Sequence, residues 1–132
     1  MQVDVRADQT RPGYFRIVPH GAIDTETHDG FRSALEPVLA KSPRGIVIDL
    51  ADVTYISSAG LGVLFSLKKT QDKTGAKLLF CNARPQIAKL FETARFLPTD
   101  SVFKSLEEAD RYFYEVMNEE IERQKKRSAE GS

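Results

Sequence analysis

The sequence predicts an α/β domain, a partly parallel sheet with helices packed against it. Three observations carry this. Short apolar runs alternate with amphipathic stretches in the order β-β-α-β-α-β-α-(β)-α. The run "IVIDL", residues 46–50, is apolar at almost every position, as a strand covered on both faces requires. The stretch "RPQIAKLFETA", residues 84–94, puts Ile87, Leu90, Phe91 and Ala94 on one helical face, with Pro85 in its first turn.

The elements follow in chain order. "QVDVR" and "YFRIVPHG" read as two strands joined by a turn at Pro12 and Gly13. The next stretch, "DTETHDGFRSALEPVLAK", has Phe31, Ala34, Leu35, Val38 and Leu39 at helical spacing. Asp24 or Thr25 can cap its start. Pro37 predicts a bend or a break, because proline lacks the N–H of a helical hydrogen bond. "SPRG" is a turn into the "IVIDL" strand. Residues 58–73 read as a helix with Leu61, Leu64 and Phe65 on its buried face. "TGAKLLFC" is a glycine turn and a strand, and "FLPTDSVFKS" a loop with a short last strand. The closing helix is expected from Leu106 toward Arg127, with Leu106, Ala109, Phe113, Val116 and Met117 as its apolar stripe. Past residue 118 the apolar content collapses, and Glu119–Arg123 and Glu122–Lys126 sit at i, i+4, the mark of a solvated helix. The domain is thus expected over 1–117. Residues 118–132 form a charged helical extension whose last five, "SAEGS", are expected to be disordered.

Bulk properties narrow the function. The 132 residues make one domain, and 19 Lys and Arg balance 19 Asp and Glu. A neutral chain lacks the basic footprint of a nucleic-acid binder. No apolar run is long enough to span a bilayer, and "MQVDVRADQT" has no signal-peptide pattern. Cys81, the single cysteine, excludes an intrachain disulfide and is expected to be a buried thiol. These features fit a cytoplasmic domain.

The chemistry concentrates in "TYISSAGLG", residues 54–62, between a strand and a helix. A nucleophile elbow needs G-x-S-x-G, with its histidine later in the chain. Ile56 stands where the first glycine belongs, and both histidines, His20 and His28, precede the serines. "GLG" supplies half of a dinucleotide fingerprint, and Val63 follows Gly62 where a P-loop needs lysine. One cysteine and two scattered histidines make no metal set. A helix cap by Ser57 or Ser58 is the simplest role. It leaves the glycines unexplained: Gly60 and Gly62 in the first turns cost together roughly 2 kcal/mol relative to alanine. That cost predicts bare backbone over which something packs closely. A serine at this end also suits phosphorylation. The helix dipole favours the added charge by roughly 0.3–2 kcal/mol. The same charge buried unpaired in a docked interface costs on the order of 2–5 kcal/mol, some 30- to several-thousand-fold in affinity.

"IDLADVTYISSAGLGVL" resembles the signature of STAS domains, the fold of bacterial anti-sigma factor antagonists: a strand, a short loop with an Asp, then Asp/Ser-Ser-Ser/Ala-Gly-Leu opening a helix. "GAID", residues 21–24, and "GAKLLFCNARPQIAKLFETARF" resemble two further family elements, so that the resemblance covers roughly residues 2–117. It implies the STAS fold, a mixed four- to five-stranded sheet packed with about four helices. It implies Ser58 as the phospho-acceptor of a serine kinase of the histidine-kinase-like ATPase fold that doubles as an anti-sigma factor. A metal-dependent serine phosphatase would reverse the modification. The implied docking residues are Asp24, Ser57, Ser58, Ala59, Gly60, Leu61 and Gly62. Ser57 stands where many members have Asp, which leaves Asp24 or Asp52 as the nearest carboxylates, and Ala59 replaces a second serine. Asp24 is expected at the end of a neighbouring strand, as a helix cap, a recognition group, or both; Asp52 reads as an ordinary loop residue. No catalysis, cofactor, metal, nucleic acid or membrane insertion is expected. The alternatives are a non-phosphorylated STAS scaffold subunit of a stress-sensing or lipid-transport assembly, and a small enzyme using Ser58 as nucleophile.

Overall fold

The computed structural model describes residues 1–94 and 102–130. Within these residues seven strands and four helices follow one another: β1 (Val3–Ala7), β2 (Tyr14–Pro19), β3 (Gly21–Ile23), α1 (His28–Leu39), β4 (Gly45–Asp49), β5 (Val53–Ile56), α2 (Ser58–Thr74), β6 (Lys77–Cys81), α3 (Pro85–Ala94), β7 (Val102–Phe103) and α4 (Leu106–Glu130). Five strands form a mixed sheet in the order β1-β2-β4-β6-β7. The β1–β2 hairpin is antiparallel; β2, β4, β6 and β7 run parallel, linked by helical crossovers. A second sheet of two parallel strands, β3 and β5, stands beside it.

Strand periodicity divides the core. On one face Phe15, Ile17, Ile46, Ile48, Leu78 and Phe80 pack against α1, α2 and α3. On the other, Tyr14, Val47, Leu79 and Cys81 meet Ala109 and Phe113 of α4. All five residues of β4 are buried, as the "IVIDL" run predicts. Each fully buried large apolar side chain stabilises by about 1.5–3 kcal/mol. Burial pushes the Cys81 thiol up to about 12, the state of an unreactive core residue.

Several expectations need correction. The strand read as running from Tyr14 to Gly21 breaks after Pro19, because Gly21 takes φ +92° and redirects the chain into β3. "VTYI", not foreseen as a strand, pairs with β3 as β5. Helix α1 starts at His28, four residues later than Asp24, since a polar turn over 24–27 intervenes. It runs through Pro37 to Leu39 without the expected break; the proline falls in the last turn, where one lost hydrogen bond does not end the helix. In α2 the buried face is Gly60, Val63, Leu64, Leu67 and Gln71, while Phe65 is 43% exposed. Helix α4 extends beyond Arg127 to Glu130, so Ser128–Glu130 are helical where disorder was expected. Glu, Arg, Lys, Gln and Ala there are strong helix formers, and Glu119 and Arg123 approach to 3.7 Å. The loop expected over residues 96–100, the side chains of Val116 and Met117, and Gly131 and Ser132 lie outside the described residues.

Candidate functional site

The two short strands build the site. In their parallel ladder Ile23 pairs with Ile56, so Asp24 and Ser57 leave the sheet side by side. Ser57 is then fixed at three atoms. Its N–H donates to the Ile23 carbonyl at 2.9 Å, its carbonyl accepts from Leu61 N–H at 2.9 Å, and its Oγ accepts from Gly60 N–H at 3.3 Å. With φ −84° and ψ 176° it is the N-cap of α2. Ser58 is the first helical residue and is exposed. Among the described residues its hydroxyl has no hydrogen bond. The first turn of α2 holds no acidic side chain, so the helix supplies no charge of its own against the positive end of its dipole.

The glycines separate. A Cβ at Gly60 would lie 2.4 Å from the Ile23 carbonyl oxygen and 2.9 Å from Ile23 Cγ2. The close approach expected from a docked partner is therefore made at Gly60 by the chain's own β3, and Gly60 is buried. Gly62 is exposed, with nothing within 4 Å of a Cβ built on it. Ala59 and Leu61 are half-buried, Leu61 against the core. Ser58, Gly62 and Phe65 thus share one outward helical face, and Tyr55 on β5 is 57% exposed.

The carboxylates are also sorted. Asp24 Oδ1 accepts the N–H groups of Thr27 and Glu26, each at 3.0 Å, and these bonds, Thr27's first, hold its carboxyl below the usual range. It caps the turn ahead of α1. The N-cap of α1 is Thr27, whose Oγ1 donates to the Ala22 carbonyl at 2.6 Å instead of capping. Asp24 Oδ2 has no partner among the described residues, which leaves one oxygen for an incoming group. Asp52 sits at the opposite end of β5 from Ser57, roughly 15 Å of extended chain away. Its carboxylate meets His20 Nδ1 at 3.0 Å and its carbonyl accepts Gly21 N–H at 2.9 Å. Asp52 therefore braces the β2–β3 junction and is no candidate for the serine site. His20 Nε2 meets Asp4 at 2.9 Å, and His28 Nδ1 faces the carbonyls of Asp24 and Thr25. Neither ring is paired with a serine.

One functional-looking acid escaped the sequence. Asp49, at the end of β4, is buried and accepts from Arg16 Nη2 at 2.8 Å, Ala51 N–H at 3.1 Å and Asn82 Nδ2 at 3.2 Å. Burial opposes its charge, but these bonds outweigh it and keep the carboxyl below the usual range. Within "IVIDL" it reads only as the end of an apolar run; its partners lie 33 residues away on either side. Among the described residues no three His, Cys, Asp or Glu side chains gather as a metal set, and no helix is long and apolar enough to cross a membrane.

Ser57 thus caps α2 and Asp24 follows the end of the neighbouring β3, and a STAS-domain model matches residues 6–109. The chain belongs to the STAS-domain family. Among STAS relatives it is 30% identical over 93 residues to BtrV of Bordetella bronchiseptica, covering 70% of this chain and 80% of that one, whose name places it provisionally among anti-sigma factor antagonists. It is 25% identical over 83 residues to the anti-sigma-B factor antagonist of Staphylococcus aureus, covering 63% and 77%. The anti-sigma factor antagonist SpoIIAA in its unphosphorylated form superposes with a TM-score of 0.68 over 84% of this chain and 96% of its own, at 13% identity. The phosphorylated form of the Bacillus protein gives 0.64 over 83% and 99%, at 15% identity. The solved structures thus share the STAS fold with this chain.

Proposed function

We propose that this chain is an anti-sigma factor antagonist of a partner-switching pathway, switched by phosphorylation of Ser58. Unmodified, it docks a serine kinase that doubles as an anti-sigma factor. Phosphorylated, it lets go, and a metal-dependent phosphatase restores it. ATP belongs to the kinase, and the chain itself performs no catalysis.

The observation that carries this reading is the division of labour between the serines. Ser57 Oγ is committed to Gly60 N–H, while Ser58 Oγ is exposed and uncommitted. A phosphate on Ser58 leaves the cap intact and meets a helix N-terminus with no acidic residue in its first turn. A partner docked over Ser58 and Gly62 would have to bury that charge. Asp24 supports the same reading: its free oxygen can take a donor from the partner, and it stands as a like charge beside a phosphate. The names of the relatives agree, and SpoIIAA has been seen in both phosphorylated and unphosphorylated forms.

The test is phosphosite mapping. The chain is incubated with its cognate kinase and ATP, then analysed by mass spectrometry. The reading predicts one phosphate, on Ser58. Phosphate on Ser57 instead, or none with a kinase that binds the chain, would count against it.

A further inference from the structure

A cavity of about 270 Å³ opens between the β1–β2 hairpin and α4, on the face of the sheet that α4 covers. Arg6, Arg11 and Arg16 line it, with Tyr14, Val47 and Phe113 as apolar walls. Among the described residues three carboxylates pair with these arginines, Asp8 and Asp110 in the cavity wall and Asp49 below it. Arg11 binds Asp8 through Nε at 2.8 Å and through Nη2, and Asp110 through Nη2 at 2.8 Å. Asp49 takes Arg16 Nη2, together with Ala51 N–H and Asn82. Arg6 keeps no carboxylate: its guanidinium has no ion pair among the described residues. It also stands directly opposite Arg16 in the antiparallel ladder. Like charges so placed repel. Arg16 Nε is buried without a hydrogen-bond partner, a donor group that folded proteins rarely leave unmade.

We propose that this cavity is a binding site for a small phosphate monoester with an apolar body. A phosphate dianion between Arg6 and Arg16 would turn the repulsion of their guanidinium ends into two charge-assisted contacts. The apolar walls would cover the organic part. The site is independent of the serine switch, which sits on the α2 side of the molecule.

Arginine Nε–H resonances in ¹H–¹⁵N spectra test this, with phenyl phosphate as probe and sodium chloride at matched ionic strength as control. Phenyl phosphate is expected to shift the Arg6 and Arg16 signals saturably, and inorganic phosphate to bind more weakly. Arg6 is exposed, so Arg6→Gln should fold, as the same spectra report, and should weaken binding by at least about tenfold. Arg6→Lys, which keeps charge but loses the fork, should fall between. No saturable shift, equal shifts with chloride, inorganic phosphate binding as tightly, or undiminished binding by Arg6→Gln would overturn the proposal.

Discussion

At the scale of single residues, the stretch from Ser57 to Gly62 holds two serines and two glycines that the fold treats in opposite ways. Ser57 caps α2, so Ser57→Ala should cost about 1 kcal/mol. Ser58 is exposed and its hydroxyl has no hydrogen bond among the described residues, so Ser58→Ala should stay within about 0.5 kcal/mol of the parent. Gly60 lies under Ile23, so Gly60→Ala should cost about 1–3 kcal/mol as backbone is forced aside. Gly62 has open space, so Gly62→Ala should gain about 0.5–1 kcal/mol from helix propensity. Urea unfolding of the four variants reads this ranking. A neutral Ser57→Ala, or a Gly62→Ala as damaging as Gly60→Ala, would contradict it. The sequence singled out this stretch but could not separate its residues. Gly60's neighbour, Ile23, is 37 positions away, and adjacent serines look alike until one is hydrogen-bonded. Of the two glycines, Gly62 is the one left open to a docked partner.

At the scale of elements, the helices and the buried strands were legible and the small sheet was not. Strands of three and four residues, β3 and β5, are too short to display alternation. "YFRIVPHG" reads as continuous because the positive φ of Gly21 leaves no trace in composition. The inner face of α2 follows from the same junction: Gly60 pressed beneath β3 lies on one side with Val63, Leu64 and Leu67, and Phe65 faces outward. His20 closes this junction between Asp4 of β1 and Asp52 before β5. The hydrogen bond His20 donates to Asp4, then the charges of Asp4 and Asp52, raise its pKa above the ordinary 6.5. The folded state therefore favours the imidazolium. That contribution is complete below the unfolded value and is lost as pH rises through the folded one. Urea midpoints should accordingly decline as pH climbs from about 6 toward 8, and His20→Gln should remove that part of the decline. An unchanged slope in the variant would refute the role given to His20.

At the scale of the whole molecule, the sheet separates two kinds of work. The face under α1, α2 and α3 holds the larger core and presents the serine site at its rim. The other face is closed by α4, which Arg11 ties to the β1–β2 turn through Asp8 and Asp110, 99 positions away. Alternating patterns predicted the layers, since each strand and helix carries its own period. The polar ties, Arg11 to Asp110 and Arg16 to Asp49, were invisible because each joins residues that are distant in sequence and share no motif. The account as a whole requires that modification at Ser58 disable docking without disturbing the fold. The most direct measurement is the affinity of Ser58→Asp for the cognate kinase, by calorimetry, with urea unfolding of the same sample. The account predicts a stability within about 1 kcal/mol of the parent and an affinity lower by at least about 30-fold. A folded Ser58→Asp protein that binds the kinase as tightly as the parent would contradict it.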